Sequence, residues 1–542
     1  MILSIISGYL HGLWIFKVKG SRYAKIPLLS SIIVSVGLLM FFKYLDFIIE
    51  NINWVINLLS IKSRSLSLFF IKSEGLFLLK GLPFLSAKSG ELSPLNFLST
   101  LNLAKSEGTS SVNLPPLNLP LPLGISFYTF QILSYTIDVY RGDAKVQKNI
   151  FNFAAYVSLF PQLIAGPIVR YTTVEEELSQ RTHSLADSAY GINRFIIGLS
   201  KKVLVANTLG ELGKIFANTN EKTVLFYWIS TVAFMFQIYY DFSGYSDMAI
   251  GLGRIFGFHF LENFNYPFIS KSISEFWRRW HMSLGTWFRD YVYISMGGNR
   301  VSKWKWVRNI FVVWFLTGFW HGAQWNFIVW GLYFALLLVL EKLFLKRLLD
   351  KLPATLRHFY TLFFIVISFV LFNGNGLSEC MHNLKGMFGL LNVPFSSIET
   401  NYYLRSYAFV FLIAIFGATP AAAEFIRIVK SYEEETETET GNKAPVVESQ
   451  TEECLEKSLD NKSKVQPEKN IQTKEVDLLG KAKNEIANKL AITENAYKLK
   501  KGARILNRIL NILEPVVHII LLLLITGYLV DGSFNPFLYF RF

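Results

Sequence analysis

Between residues 309 and 340 the chain runs for 32 residues without one Asp, Glu, Lys or Arg. As an α-helix rising about 1.5 Å per residue it would reach about 48 Å, well past a hydrocarbon core of about 30 Å. Such a stretch has to enter a membrane and has to be interrupted within it. The interruption is expected at Thr317-Gly318-Phe319-Trp320-His321-Gly322-Ala323-Gln324-Trp325-Asn326, where glycines and hydrogen-bonding side chains cluster. Irregular polar backbone survives at that depth only inside protein or along a water-filled path, so a chamber or tunnel is expected there.

Residues 26–49, 119–140, 151–169, 224–240, 358–372, 402–418 and 513–530 are further apolar runs, and marginal segments bring the expected number of spans to about ten. The composition agrees: 51% of residues are hydrophobic and only 17% charged, on the apolar side of a soluble domain. Long helix-forming runs outnumber alternating strand patterns and no fixed repeat is visible, which argues against a barrel or solenoid. The expected fold class is all-α, a polytopic integral membrane protein with re-entrant or interfacial helices.

The net charge of +14, from 54 Lys+Arg against 40 Asp+Glu, is assigned to basic loops beside the spans, and no nucleic acid is expected as a partner. Cys380 and Cys454 are too few for a disulfide framework or a multi-thiolate site, and no metal is expected. Residues 1–16 are apolar without a basic leader or a cleavage site, the pattern of a membrane segment.

Five regions follow. Residues 1–61 hold N-terminal membrane helices, and 62–116 mix short apolar pieces with Ser, Gly, Lys and Pro, as in a loop with interfacial parts. Residues 117–430 form the core. Residues 431–504 open with five glutamates between Glu433 and Glu439 and read as a disordered or loosely helical insertion whose deletion should be tolerated. Residues 505–542 are a last membrane helix and tail.

An ionisable side chain at membrane depth is costly and marks function by default, which singles out His321. Imidazole suits removal of a proton from an alcohol near neutral pH; the plain alternative is a histidine satisfied by a neighbouring carbonyl. Trp320 and Asn326, in the same cluster, are candidate tunnel-lining residues. A second histidine lies in Ser274-Glu-Phe-Trp-Arg-Arg-Trp-His-Met-Ser-Leu284, where Trp277, Trp280, His281 and Leu284 fall on one helical face and Arg278 and Arg279 project elsewhere. The arginines suit phosphate or an anionic substrate, or an interfacial anchor. Asp241 and Asp247 sit in apolar sequence and need partners; they either orient an imidazole or lock two helices together, the second being favoured. Phosphate loops, paired-histidine zinc motifs and nucleophile elbows are lacking.

Tyr240-Asp-Phe-Ser-Gly-Tyr-Ser-Asp-Met-Ala-Ile-Gly251, Asn263-Phe-Asn-Tyr-Pro-Phe268, Glu275-Phe-Trp-Arg-Arg-Trp-His-Met-Ser-Leu284 and Phe319-Trp-His-Gly322 resemble the membrane-bound O-acyltransferase family in order and spacing. Leu121-Pro-Leu-Gly-Ile-Ser-Phe127, Phe160-Pro-Gln-Leu-Ile-Ala-Gly-Pro-Ile-Val-Arg-Tyr171 and Asn535-Pro-Phe-Leu-Tyr-Phe-Arg-Phe542 are similar to its alginate O-acetylase branch. The resemblance implies tilted helices around a central tunnel in the cytoplasmic (inner) membrane. It implies His321 as the catalytic residue and His281 as a second tunnel histidine.

It further implies an acyl thioester as co-substrate, acetyl-CoA or an acyl carrier protein, with no bound cofactor. The acyl group, acetyl in this branch, would pass to an extracytoplasmic polysaccharide such as alginate, directly or through partner acetyltransferase or secretion proteins. Family members begin with further membrane sequence, so a truncated or differently assigned start is expected. Two other readings are a carrier for an acylated molecule and a scaffold subunit of a secretion complex without chemistry of its own.

Overall fold

The computed structural model describes residues 1–58, 114–164, 166–429 and 505–530. Most of the 62–116 segment and all of the 431–504 insertion lie outside the described residues. The chain divides into two compact units, one built on Met1–Val410 and one on Phe411–Asp531. Every element below 398 belongs to the first.

All regular structure among the described residues is helical. The principal helices of the first unit are α1 (Ile2–Lys17), α2 (Lys25–Leu39), α3 (Leu45–Leu58), α4 (Ile125–Arg141), α5 (Ile150–Ser158), α6 (Leu185–Ser200) and α7 (Val224–Ile255). Two short helices follow, α8 (Ile273–Arg279) and α9 (Met282–Phe288), then α10 (Lys303–His321), α11 (Trp325–Leu340) and α12 (Ala354–Asn373).

Small residues set how closely these helices pack. The α10–α11 hairpin touches at Gly318 and Gly331, where an added Cβ would overlap the carbonyl of Phe327 or Trp314. Helices α6 and α7 meet backbone to backbone at Gly191 with Gly251 and Gly198 with Gly244. Small residues are the common device for close helix pairs in lipid, where no hydrophobic drive separates helix from solvent.

The long apolar run is broken as its length demands: α10 ends at His321, Gly322 is extended, and α11 starts at Trp325. The expected run 151–169 is not one span. It breaks into α5 and the turn Phe160–Leu163 with a proline in its first turn, and residues 167–170 have no regular structure. Pro161 and Pro167 cannot donate within a helix, and Pro167 disfavours helix in the residue before it.

Four described helices are long and apolar enough to cross a membrane: Lys25–Ile56, Trp325–Leu349, Ala354–Asn373 and Ile505–Val530, with a fifth if Ile398–Gly417 and Ala421–Val429 form one broken span. Helix α7, by contrast, is long but buried in protein on most of its faces.

Candidate active site

His321 closes α10, and the chain can turn there because Gly322 lies so tightly under Phe327 that a Cβ would overlap the ring. A helix end leaves its last carbonyls without intrahelical donors. Here Lys43 Nζ donates to Trp320 O at 2.7 Å and His321 O at 3.2 Å, and Tyr44 OH donates to Phe319 O at 2.6 Å. Both side chains come from the π-helical turn Met40–Tyr44 between α2 and α3, a widened turn of the kind that recurs at functional sites. The N-terminal span thus caps the helix that ends in the histidine.

His281 occupies a break. Trp280 ends α8, His281 is left-handed at φ 45° and ψ 53°, and α9 begins at Met282. The single helical face expected for Trp277, Trp280, His281 and Leu284 is therefore split over two helices. The cause lies upstream, in residues 263–265. Asn265 N–H takes the Arg279 carbonyl that a continuous helix would use, at 2.9 Å. The Asn263 carbonyl accepts from Met282 N–H at 2.9 Å and its side-chain Oδ1 from Ser283 N–H at 3.2 Å, capping α9 from outside.

Both histidines line one cavity of ≈ 40 Å³, together with Asp241, Ser368 and a wall of aromatic rings from α7, α8, α11 and α12. That is room for about two or three water molecules. His281 Nε2, His321 Nδ1, Trp277 Nε1 and Trp330 Nε1 are buried without a hydrogen-bond partner among the described residues, and all four belong to cavity-lining side chains. Native interiors seldom leave buried polar atoms unpaired, so a concentration of them in one apolar chamber marks a place for a polar guest.

Trp320 contacts both histidines, its ring 6.2 Å from His281 and 5.0 Å from His321. It stacks on Phe130 and donates from Nε1 to Ser126 O at 3.3 Å, and so packs against both imidazoles without itself lining the cavity. Asp241 reaches the cavity and forms a buried ion pair with Lys202, from a second π-helical turn, Lys201–Ala206. Asp247 takes Arg194 Nε at 2.8 Å and Lys201 Nζ at 2.6 Å, locking α7 to α6 and its continuation.

The remaining candidates lie off the cavity. Asn326 donates to Leu371 O at 3.3 Å and Gly374 O at 2.9 Å, tying the start of α11 to the end of α12. Arg278 is exposed, and Arg279 pairs with Glu275 at 3.0 Å. Partial burial works against the Glu275 carboxylate, but the Lys271 amide and Arg279 outweigh it and hold its pKa below the usual value. Cys380 is buried, donates to Leu371 O, and has its thiol pKa pushed up by burial, which suits packing and not nucleophilic chemistry.

Sequence reasoning missed Lys43, Tyr44, the role of Asn263, and Trp330, and it placed Trp277 and Trp280 on the face of His281 without assigning them to a cavity. Lys43 carried a usable signal, a cation inside the apolar run 26–49. Asn263 opens the quoted motif ending at Phe268, but its role had no signal, because its partners are fixed only by the tertiary fold.

Residues 122–381 match the model of the membrane-bound O-acyltransferase family. The chain is 45% identical over 268 residues to the Probable alginate O-acetylase AlgI of Pseudomonas aeruginosa, covering 49% of this chain and 52% of that protein. It is 41% identical over 305 residues to the protein of the same name from Azotobacter vinelandii, covering 55% and 60%. Against the Peptidoglycan O-acetyltransferase of Helicobacter pylori it is 30% identical over 424 residues, covering 72% of this chain and 70% of that protein. The chain belongs to the membrane-bound O-acyltransferase family, in its alginate O-acetylase branch. It is accordingly an integral membrane protein, and it spans about half the length of the alginate relatives it matches.

Proposed function

We propose that this protein is a multi-pass O-acyltransferase of the cytoplasmic membrane that moves an acyl group, acetyl, from a thioester donor to a hydroxyl of an extracytoplasmic polysaccharide. The observation that carries the proposal is the shared cavity: two histidines with unpartnered ring nitrogens face one narrow apolar chamber inside a membrane-embedded bundle. A neutral imidazole there can serve as general base as the new bond forms, and the dry wall strengthens every polar contact made inside. The three relatives named above give the reading its chemistry by their names, two alginate O-acetylases and a peptidoglycan O-acetyltransferase.

In this reading the acceptor oxygen forms a bond to the thioester carbonyl carbon while its proton passes to His321. The carbonyl then re-forms as the C–S bond breaks, the sulfur leaves with the electron pair, and it takes the proton from His321 to give a free thiol beside the new ester. His281, Trp320 and Asp241 shape the place where the two substrates meet, and Arg278 and Arg279 are candidates for anionic parts of a substrate outside the cavity. The acyl donor is acetyl-CoA or an acyl carrier protein on the cytoplasmic side, entering a tunnel enclosed by about ten spans. The acceptor is alginate or another surface glycan, reached directly or through an extracytoplasmic partner.

The test is purified protein in liposomes, with labelled acetyl thioester enclosed and a hydroxylated oligosaccharide outside. Label appearing as alkali-labile ester on the oligosaccharide supports the reading. Intact thioester and no ester, with both the coenzyme A and the carrier-protein donor, contradicts direct transfer by this protein and leaves relay through a partner, a carrier or a scaffold.

A further inference from the structure

The hydrogen bonds around Asn263 determine which nitrogen of His281 carries its proton. A backbone N–H can only donate, so the Asn263 side-chain atom 3.2 Å from Ser283 N must be the oxygen, Oδ1. That oxygen also accepts from Ser283 Oγ at 2.9 Å, while Nδ2 on the other side donates to Ser246 Oγ at 3.2 Å. The amide therefore cannot be turned over without setting two donors against each other.

The same Oδ1 lies 3.2 Å from His281 Nδ1, and an acceptor oxygen requires a donor there. The neutral ring is thus protonated at Nδ1 and carries its lone pair at Nε2. Nε2 is the buried atom of this cavity-lining ring that has no partner among the described residues. The left-handed backbone at His281 is a second sign of a held position, since a bulky residue with φ 45° persists only where its surroundings impose it.

We infer that Asn263 is a positioning residue that fixes His281 as the Nδ1–H tautomer, so that the second histidine offers the cavity a hydrogen-bond acceptor and not a donor. The consequence for the reaction is specific. A neutral ring whose only free nitrogen is a lone pair cannot stabilise the developing oxyanion on the thioester carbonyl. It can accept a hydrogen bond from a second hydroxyl of the acceptor and so aim the substrate, while the attacking hydroxyl gives its single proton to His321. This rests on the acyl-transfer reading only for its consequence; the tautomer stands on the geometry alone.

The decisive experiment reads the ring directly, by solid-state NMR of the full-length protein labelled with ¹⁵N-histidine in lipid bilayers, the His281 signals being those missing from a His281→Gln sample. The expected wild-type spectrum shows His281 protonated at Nδ1 and bare at Nε2. Asn263→Asp, which keeps an accepting oxygen, retains that state, and Asn263→Ala populates the Nε2–H tautomer. In the acyl-transfer assay Asn263→Ala is expected to lower kcat by about 10²-fold or more with little change in the thioester KM, because the wrong tautomer spoils alignment and not donor binding. A wild-type ring protonated at Nε2, or an Asn263→Ala protein that folds with both wild-type tautomer and wild-type kcat, overturns the inference. The wild-type spectrum decides even if the alanine variant fails to fold. An Nδ1–H ring in a protein that transfers no acyl group would sink the proposed function and leave the tautomer assignment intact.

Discussion

The position of the His321 ring depends on residues far away in sequence. Its helix ends in open carbonyls, and the Lys43 side chain, 277 residues before Trp320 and 278 before His321, closes two of them. Lys43→Met should leave those buried acceptors unpaired, at about 1–3 kcal/mol each, visible as a lower thermal midpoint in detergent and as reduced acyl transfer from a displaced ring. An unchanged midpoint would show that the cap is dispensable. Asp241→Asn should cost a comparable amount, about 3–5 kcal/mol, because it strips a carboxylate from a buried cation; the same thermal assay checks it, and adding Lys202→Gln should recover part of the loss. At this scale the two histidines and both aspartates were legible in the sequence, since an ionisable group in an apolar run announces itself. Roles were less legible. Asp247 locks two helices, the reading favoured for it, but Asn326 ties helices together where a tunnel lining was expected, and Lys43 and Asn263 gain their meaning from contacts between distant segments.

Among the elements, the α10–α11 hairpin carries the site, and its closeness depends on Gly318 and Gly331. Gly318→Val would drive a branched side chain into the Phe327 carbonyl, and overpacking of this kind costs about 1–3 kcal/mol or more. We expect little folded protein in the membrane fraction, measured by fluorescence-detected size exclusion. Gly213→Ala is the matched contrast: a Cβ there meets nothing within 4 Å, and removing a helical glycine should stabilise the protein by about 0.4–1 kcal/mol and so raise the midpoint. Length alone foretold the break in residues 309–340, and the polar cluster located it. Periodicity alone misled at residues 277–284, where an apparently continuous face is cut because Asn263 and Asn265 compete for the backbone groups that would have joined α8 to α9. Residues 151–169 misled for a different reason, their apolar character outweighing two prolines.

For the whole molecule, apolar composition fixed the membrane class and the quoted motifs fixed the family, while the chamber itself needed the fold to bring α7, α8, α11 and α12 together. The central claim is that chemistry occurs at His321. Its most direct test is polymer-bound O-acetyl ester in cells lacking this protein, complemented with wild type or with His321→Ala at equal membrane levels. A general base supplies about 10² to 10⁴ in rate, so the account predicts ester restored by the wild type and reduced to background by the variant. Ester restored equally by both would contradict it.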